Sequence, residues 1–165
     1  MNLKYLFLLL ALALISIKSL VAQNQIGIIP QPASLESQKG EFKINQKTII
    51  YTATNDADLM NVADRLNDIL KIHLGYQLKI GNTLENKGGI RLEVDPSVTN
   101  KEGYKMQVNN QFIEIRGGSA TGLFYGIQSL RQLLPVNKAT RAVIPGLKIQ
   151  DEPRFKWRGM HLDVG

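Results

Sequence analysis

The 165-residue sequence contains no cysteine. That absence excludes disulfides, thiol nucleophiles and thiolate metal sites, and also lipid attachment through a processed N-terminal cysteine. Histidines number only two, His73 and His161, and tryptophan occurs once, at Trp157. With two histidines, no thiol and no H-E-x-x-H, a zinc site has too few ligands. There is no G-x-S-x-G elbow of a serine hydrolase. No internal period of the length used by solenoids and no low-complexity tract is present. Basic residues do not cluster: Lys39, Lys43, Lys47, Arg65, Lys71, Lys79, Lys87 and Arg91 are scattered, without the aromatic interleaving of a nucleic-acid groove. The net charge of +6 therefore reads as solvated surface.

No apolar run is long enough to span a bilayer. The longest, Tyr5 to Ile15, would cover about 17 Å as a helix, against a hydrocarbon core of about 30 Å. It follows Lys4 and precedes Lys18 and a small residue, Ala22, which is the pattern of a secretory signal. Residues 1–22 are accordingly expected to be a signal peptide cleaved after Ala22, with an uncleaved anchor as the other reading. Its removal would lower the net charge from +6 to +4, because two lysines leave and no acidic residue does. An exported chain without disulfides points to a bacterial periplasm or the extracellular space, with no stable membrane insertion after cleavage and no nucleic-acid partner.

The mature chain changes period along its length. Ile26–Ile29 is a short apolar run ended by Pro30-Gln31-Pro32, an extended entry segment. Residues 41–44 and 47–52 alternate or are β-branched, as strands are. From Asp56 to Leu74, Leu59, Val62, Ala63, Leu66, Ile69 and Leu70 fall on one face of a 3.6-residue period. Asn55 or Thr54 can cap that helix, and Gly75 suits the left-handed position after it. His73 in its last turn complements the helix dipole. Strands follow at 77–80, 89–94, 104–108 and 112–116, the last two joined by Asn109-Asn110-Gln111 in a hairpin. A second helix covers 119–134, capped by Ser119 and stopped by Pro135. Gly122 and Gly126 sit on one face of it, which predicts close packing on the sheet.

This order predicts an α/β (α+β) fold for residues 23–150: a two-layer sandwich of a mostly antiparallel sheet with helices on one face. Residues 151–165 read as something else. Phe155 and Trp157 alternate with Lys156 and Arg158; Met160, Leu162 and Val164 then share one side of an extended run, and His161 and Asp163 the other. A tail from about Asp151 that is loosely packed is expected.

Three motifs invite chemistry. Gly117-Gly118-Ser119-Ala120-Thr121-Gly122 opens a helix, where N–H groups can meet an anion, but it lacks the lysine and spacing of a phosphate loop. Asp151-Glu152 is an adjacent carboxylate pair of the kind glycosidases use, yet Pro153 follows at once and a solvated linker charge is the default. The alternating run from Met160 to Val164 is either a strand with its polar side towards a site or a final edge strand.

The mature chain resembles the start of a family 20 glycoside hydrolase, a β-N-acetylhexosaminidase. Ile29-Pro30-Gln31-Pro32 resembles the family's opening, and Gly103-Tyr104 to Ile115 its hairpin. Gly122-Leu123-Phe124-Tyr125-Gly126-Ile127-Gln128-Ser129-Leu130 with Leu133-Leu134-Pro135 resembles its second helix. Ile144-Pro145, Asp151 and the run Pro153 to Val164 resemble the entry to its catalytic barrel. The resemblance implies that residues 151–165 are the start of a (β/α)8 barrel left incomplete. It also implies removal of terminal non-reducing N-acetylglucosamine or N-acetylgalactosamine by substrate-assisted retaining catalysis, with no cofactor. The family's catalytic Asp-Glu pair and substrate-gripping arginine have no counterpart in residues 1–165. No catalytic, substrate-binding or metal residue is therefore assigned, and the chain alone is expected to be inactive. Its glycan partners would be reached through the missing barrel. Arg158 and Asp163 match strand-one positions and are expected to be supporting residues, joined as an ion pair. The alternatives are a stand-alone exported glycan-binding or interaction module, which should show an aromatic platform, and a different glycosidase sharing the small domain.

Overall fold

The computed structural model describes residues 26–82, 88–159 and 161. The signal segment, and with it the expected cleavage site, lies outside the described residues. So do Met160, Leu162, Asp163 and Val164, and the expected barrel strand with them.

Seven strands and two helices follow in the order β1 (Ser34–Ile44), β2 (Ile49–Thr52), α1 (Ala57–Leu74), β3 (Lys79–Gly81), β4 (Gly89–Val94), β5 (Tyr104–Val108), β6 (Phe112–Gly117), α2 (Ala120–Gln132) and β7 (Ala142–Asp151). They form one sheet in the order β1-β7-β5-β6-β4-β2-β3. This is the expected α+β class, with a difference in the sheet. The half β1-β7-β5-β6 is antiparallel, but β6-β4, β4-β2 and β2-β3 are parallel. The sheet is thus mixed. A parallel neighbour requires a crossover connection, and α1 between β2 and β3 is one.

The alternation that marks the strands also sorts their faces. In β6, Ile113 and Ile115 are fully buried while Phe112, Glu114 and Arg116 stay partly exposed on the other side. Their neighbours Ile90, Leu92, Met106 and Val108 join them under the helices. Leu59, Leu66 and Leu70 of α1 and Leu123, Ile127 and Leu130 of α2 close the core from above. Beyond β5, β1 and β7 continue as a pair: after an irregularity between Ser37 and Glu41, Phe42 and Ile44 face Ile144 and Ala142 in the same core.

Local chemistry fixes both helices. α1 is capped by Asp56 rather than by Asn55 or Thr54: its carboxylate accepts from the N–H groups of Asp58 (3.0 Å) and Leu59 (3.2 Å), an anion at the positive end of the dipole. Thr54 instead accepts from Asp56 N. Gly75 ends the helix in the left-handed region with φ 82°, and its N–H donates to Lys71 O, as expected. Ser119 caps α2 by accepting from Thr121 N at 3.1 Å.

The glycines of α2 meet different neighbours. A Cβ on Gly126 would overlap Ile115 and press on the Tyr104 ring, so this turn does lie on the sheet. A Cβ on Gly122 would instead strike the carbonyl of Gly103, in the loop between β4 and β5. A buried side chain that the sequence reading passed over ties α1 to the chain after it. Asn67 donates to Leu78 O (2.9 Å) and accepts from Leu78 N (2.7 Å), pairing with one residue as a strand would.

Candidate functional site

A hollow of about 550 Å³ lies between the entry segment Ile28–Gln31, the outer side of α2 and the segment that follows β7. It gathers three of the residues singled out in the sequence, Asp151, Glu152 and Arg158, and with them Glu102, Tyr104 and Tyr125. Its walls are mainly apolar, from Ile28, Ile29, Pro30, Pro153 and Phe155.

The polar groups of this hollow are largely engaged with one another. Gln132 holds the entry segment at one residue, accepting from Ile29 N (2.9 Å) and donating to Ile29 O (3.0 Å). Asp151 is the last residue of β7 rather than part of a linker, and its Oδ1 accepts from Ala33 N at 3.0 Å. Its partner in the adjacent pair, Glu152, is exposed. Tyr104 Oη and Ser129 Oγ are 2.6 Å apart and buried. Burial pushes the Tyr104 phenol up to about 12, with the Asp151 carboxylate adding to the rise and the Ser129 bond opposing it. Tyr125 donates to Glu102 at 3.4 Å. Two neighbouring carboxylic acids with separated roles, as a glycosidase needs, are not formed here: one member of the Asp151-Glu152 pair caps a strand contact and the other faces solvent.

Arg158 is among the described residues, whereas Asp163, the partner expected for it, lies outside them. Its guanidinium pairs with Glu102, and its other amino group donates to Phe155 O at 2.6 Å. The bond to Glu102 raises the arginine above its ordinary value. Sequence reasoning missed Glu102, since an isolated glutamate in a loop carries no periodic or motif signal.

The other candidates resolve into structural roles. The glycine turn before α2 is crowded and partly bonded: Gly118 N donates to Gly103 O, Thr121 N to Ser119 Oγ, and the carbonyls of Val98 and Asn100 crowd Gly118. An anion would meet those carbonyls. His73 sits at 2.9 Å from Pro135 O through Nδ1, and its own carbonyl accepts from Ala139 N. It joins the end of α1 to the chain after α2. A larger hollow of about 690 Å³ beside the β1–β2 turn is lined by Lys43, Lys47, Asn45 and Asn110, and its Glu41 is paired with Lys43 at 3.2 Å. Among the described residues, no group of three His, Cys, Asp or Glu could hold a metal ion, and no helix is long and apolar enough to cross a membrane.

The uncovered sheet face is a lattice of charge pairs. Arg91 lies across from Glu114 (3.9 Å), and Arg116 reaches Glu114, Glu93 and Asp95 within 3.8 Å. Asp95 is held below the usual carboxylate range chiefly by hydrogen bonds from Ser97, with Arg116 contributing. Phe112, on this face next to the pairs, has the Arg91 guanidinium over it at 4.4 Å, a cation–π contact.

Comparison with known proteins decides what such a domain belongs to. The model of glycosyl hydrolase family 20, domain 2, matches residues 25–152. The chain belongs to glycosyl hydrolase family 20. A beta-hexosaminidase of Porphyromonas gingivalis is 35% identical over 147 residues, covering 84% of this chain and 19% of that protein. One of Vibrio vulnificus is 32% identical over 137 residues, covering 83% of this chain and 15% of the relative. Among solved structures, the family 20 beta-N-acetylhexosaminidase of Streptomyces coelicolor superposes with a TM-score of 0.71 at 33% identity, over 79% of this chain and 27% of that one. A beta-hexosaminidase of Streptomyces plicatus, determined with its product GlcNAc, gives 0.72 at 33% identity over the same shares. The chain thus spans about a fifth or less of the length of these two curated family 20 relatives and about a quarter of these solved structures.

Proposed function

We propose that this chain serves as the N-terminal accessory domain of an exported β-N-acetylhexosaminidase, contributing shape and attachment to the enzyme rather than reacting groups. The enzyme would remove terminal non-reducing N-acetylglucosamine or N-acetylgalactosamine. Family 20 departs from the scheme of two protein carboxylates: the substrate's own acetamido group acts as nucleophile, so the protein must supply an acid–base carboxyl and a group orienting the acetamide. Residues 23–150 would form the domain and residues 151–165 the lead into the catalytic barrel, with residues 1–22 directing export.

One observation carries the reading. Of the carboxylates beside the hollow, Asp151 is bonded to Ala33 N, Glu102 to Arg158 and Tyr125, and Glu152 is exposed to solvent, so none is a buried free acid facing space that a sugar could enter. On the uncovered sheet face the Arg91 guanidinium already lies over Phe112, which weighs against that face as a glycan-binding platform.

The test is an assay of the purified 165-residue protein on an aryl N-acetyl-β-glucosaminide, paired with a calorimetric titration with chitobiose. No turnover above buffer and no binding heat are expected. Turnover would overturn the accessory role; binding heat at micromolar affinity would favour the glycan-binding module instead.

A further inference from the structure

We propose that Glu102 is a positioning residue for the segment after β7: it latches Arg158 onto the capped end of α2 and so sets the direction in which the chain leaves the domain.

The two sides of the latch differ in how firmly they are held. Glu102 sits on a fixed support. Its own N–H donates to Asn100 Oδ1 at 3.0 Å, and the next residue, Gly103, donates to Asn100 O at 2.9 Å. On the preceding side, Lys101 O accepts from the Ser119 hydroxyl at 2.6 Å, the same hydroxyl that caps α2. Gly103 O accepts from Gly118 N at 3.0 Å, and Gly122 has no side chain there because that carbonyl fills the space. Residues on both sides of Glu102 are therefore bonded to the chain entering α2, Lys101 to its cap Ser119 and Gly103 to Gly118 just before it. Tyr125, one turn further along α2, holds the carboxylate itself.

Arg158 is the movable side. No strand or helix includes residues 152–159. Phe155 is 72% exposed and Trp157 89% exposed, so the apolar side chains of this segment do not anchor it. What shapes it is the guanidinium, which spans from Phe155 O, closing a turn, to Glu102. An arginine fits this double task because its fork presents donors in two directions at once; a lysine point charge would not. The pair is partly open to solvent, with side chains 41% and 35% exposed, so it biases the segment rather than freezing it, and salt weakens it.

The segment reports on itself. Chymotrypsin cuts after Phe155 only when the turn opens, and the anisotropy of Trp157, the single tryptophan, follows its motion. In the whole 165-residue chain, Glu102→Gln is expected to raise the rate of cleavage after Phe155 about three- to five-fold at 0.15 M salt and to lower Trp157 anisotropy. The melting temperature should stay unchanged, because the core is untouched. Tyr125→Phe should act in the same direction and less. The swapped pair Glu102→Arg with Arg158→Glu should recover at least half of the lost protection, which a purely structural glutamate would not allow. Raising salt to 1 M should bring the parent towards the Glu102→Gln rate. Equal cleavage in the parent and Glu102→Gln, or a swapped pair as open as the single variant, overturns the latch.

Discussion

The two sides of α2 meet the rest of the molecule in opposite ways. On the inner side Leu123, Ile127 and Leu130 are completely buried, and Gly126 brings the helix backbone against Ile115 and Tyr104. On the outer side Phe124 is 39% exposed, and Tyr125 meets the segment after β7 through polar contacts, to Glu102 and to the Arg158 that Glu102 holds. One contact is made by shape over many atoms, the other by a few polar bonds and one ion pair. Dispersion and water exclusion accumulate with area and do not depend on salt, whereas a partly exposed pair contributes little and is screened. The inner side fixes what the domain is; the outer side adjusts how something is held against it.

The largest test of this contrast is Gly126→Leu. Removing a helix glycine should gain about 1 kcal/mol of propensity, but the new side chain has no room between Ile115 and Tyr104. Overpacking at about 3 kcal/mol outweighs the gain, so the variant should melt roughly 5–10 °C below the parent or fail to fold. A variant melting like the parent would show that the inner contact is loose.

Asn67→Leu probes a buried polar contact of the same core. It leaves both the N–H and the carbonyl of Leu78 without their partner, which should cost about 2–3 kcal/mol in urea denaturation. A cost below about 0.5 kcal/mol would mean that water replaces the amide freely.

Tyr104→Phe comes next, and its effect depends on pH. The Tyr104 phenol, pushed up to about 12, keeps its proton in the fold after unfolded chains have lost theirs near 10. Between those values the folded state binds more protons, so stability falls as pH rises, by about 1.4 kcal/mol per pH unit for this group. At neutral pH the variant should lose about 1 kcal/mol through the orphaned Ser129. Above pH 10 its stability should decline less steeply than the parent's. Parallel curves would place the phenol outside the core.

The smallest effect is expected on the outer side, where Glu102→Gln should leave the melting temperature within about 1 °C of the parent, since an exposed pair contributes about 0.2–1 kcal/mol at most.

The same contrast decides what could be read from the residues alone. The inner stripe of α2 and that of α1 repeat at a helical period, and the β5–β6 hairpin shows its turn in Asn109, whose side chain accepts from Gln111 N and Phe112 N. Periodicity reports burial, so those elements were legible. Strand partnership is not periodic. Nothing in β2, β4 or β6 distinguishes a parallel neighbour from an antiparallel one, and the sheet was therefore expected to be mostly antiparallel where half of its ladders are parallel. The cap of α1 fell one residue from its expected place because Thr54, Asn55 and Asp56 are all competent caps, and only the backbone decides which carboxylate or hydroxyl faces the first turn. The hollow was legible in part. Asp151, Glu152 and Arg158 stood out by type, but their partners Ala33 and Glu102 lie 118 and 56 residues away, a distance that single-sequence spacing cannot bridge. The family likeness supplied the strand-one positions, and of these Arg158 alone falls among the described residues.

The account depends on the domain being finished at the end of β7, with the following segment held by a latch and not by a core. Native-state hydrogen exchange along the chain measures this directly. It should find the amides of β6 and α2, Ile113, Ile115 and Ile127 among them, opening only with global unfolding, with protection falling sharply after Asp151 and residues 154–157 exchanging at least a thousand-fold faster. Protection of residues 154–157 equal to that of β7 would contradict the account, since it would make the segment part of the core.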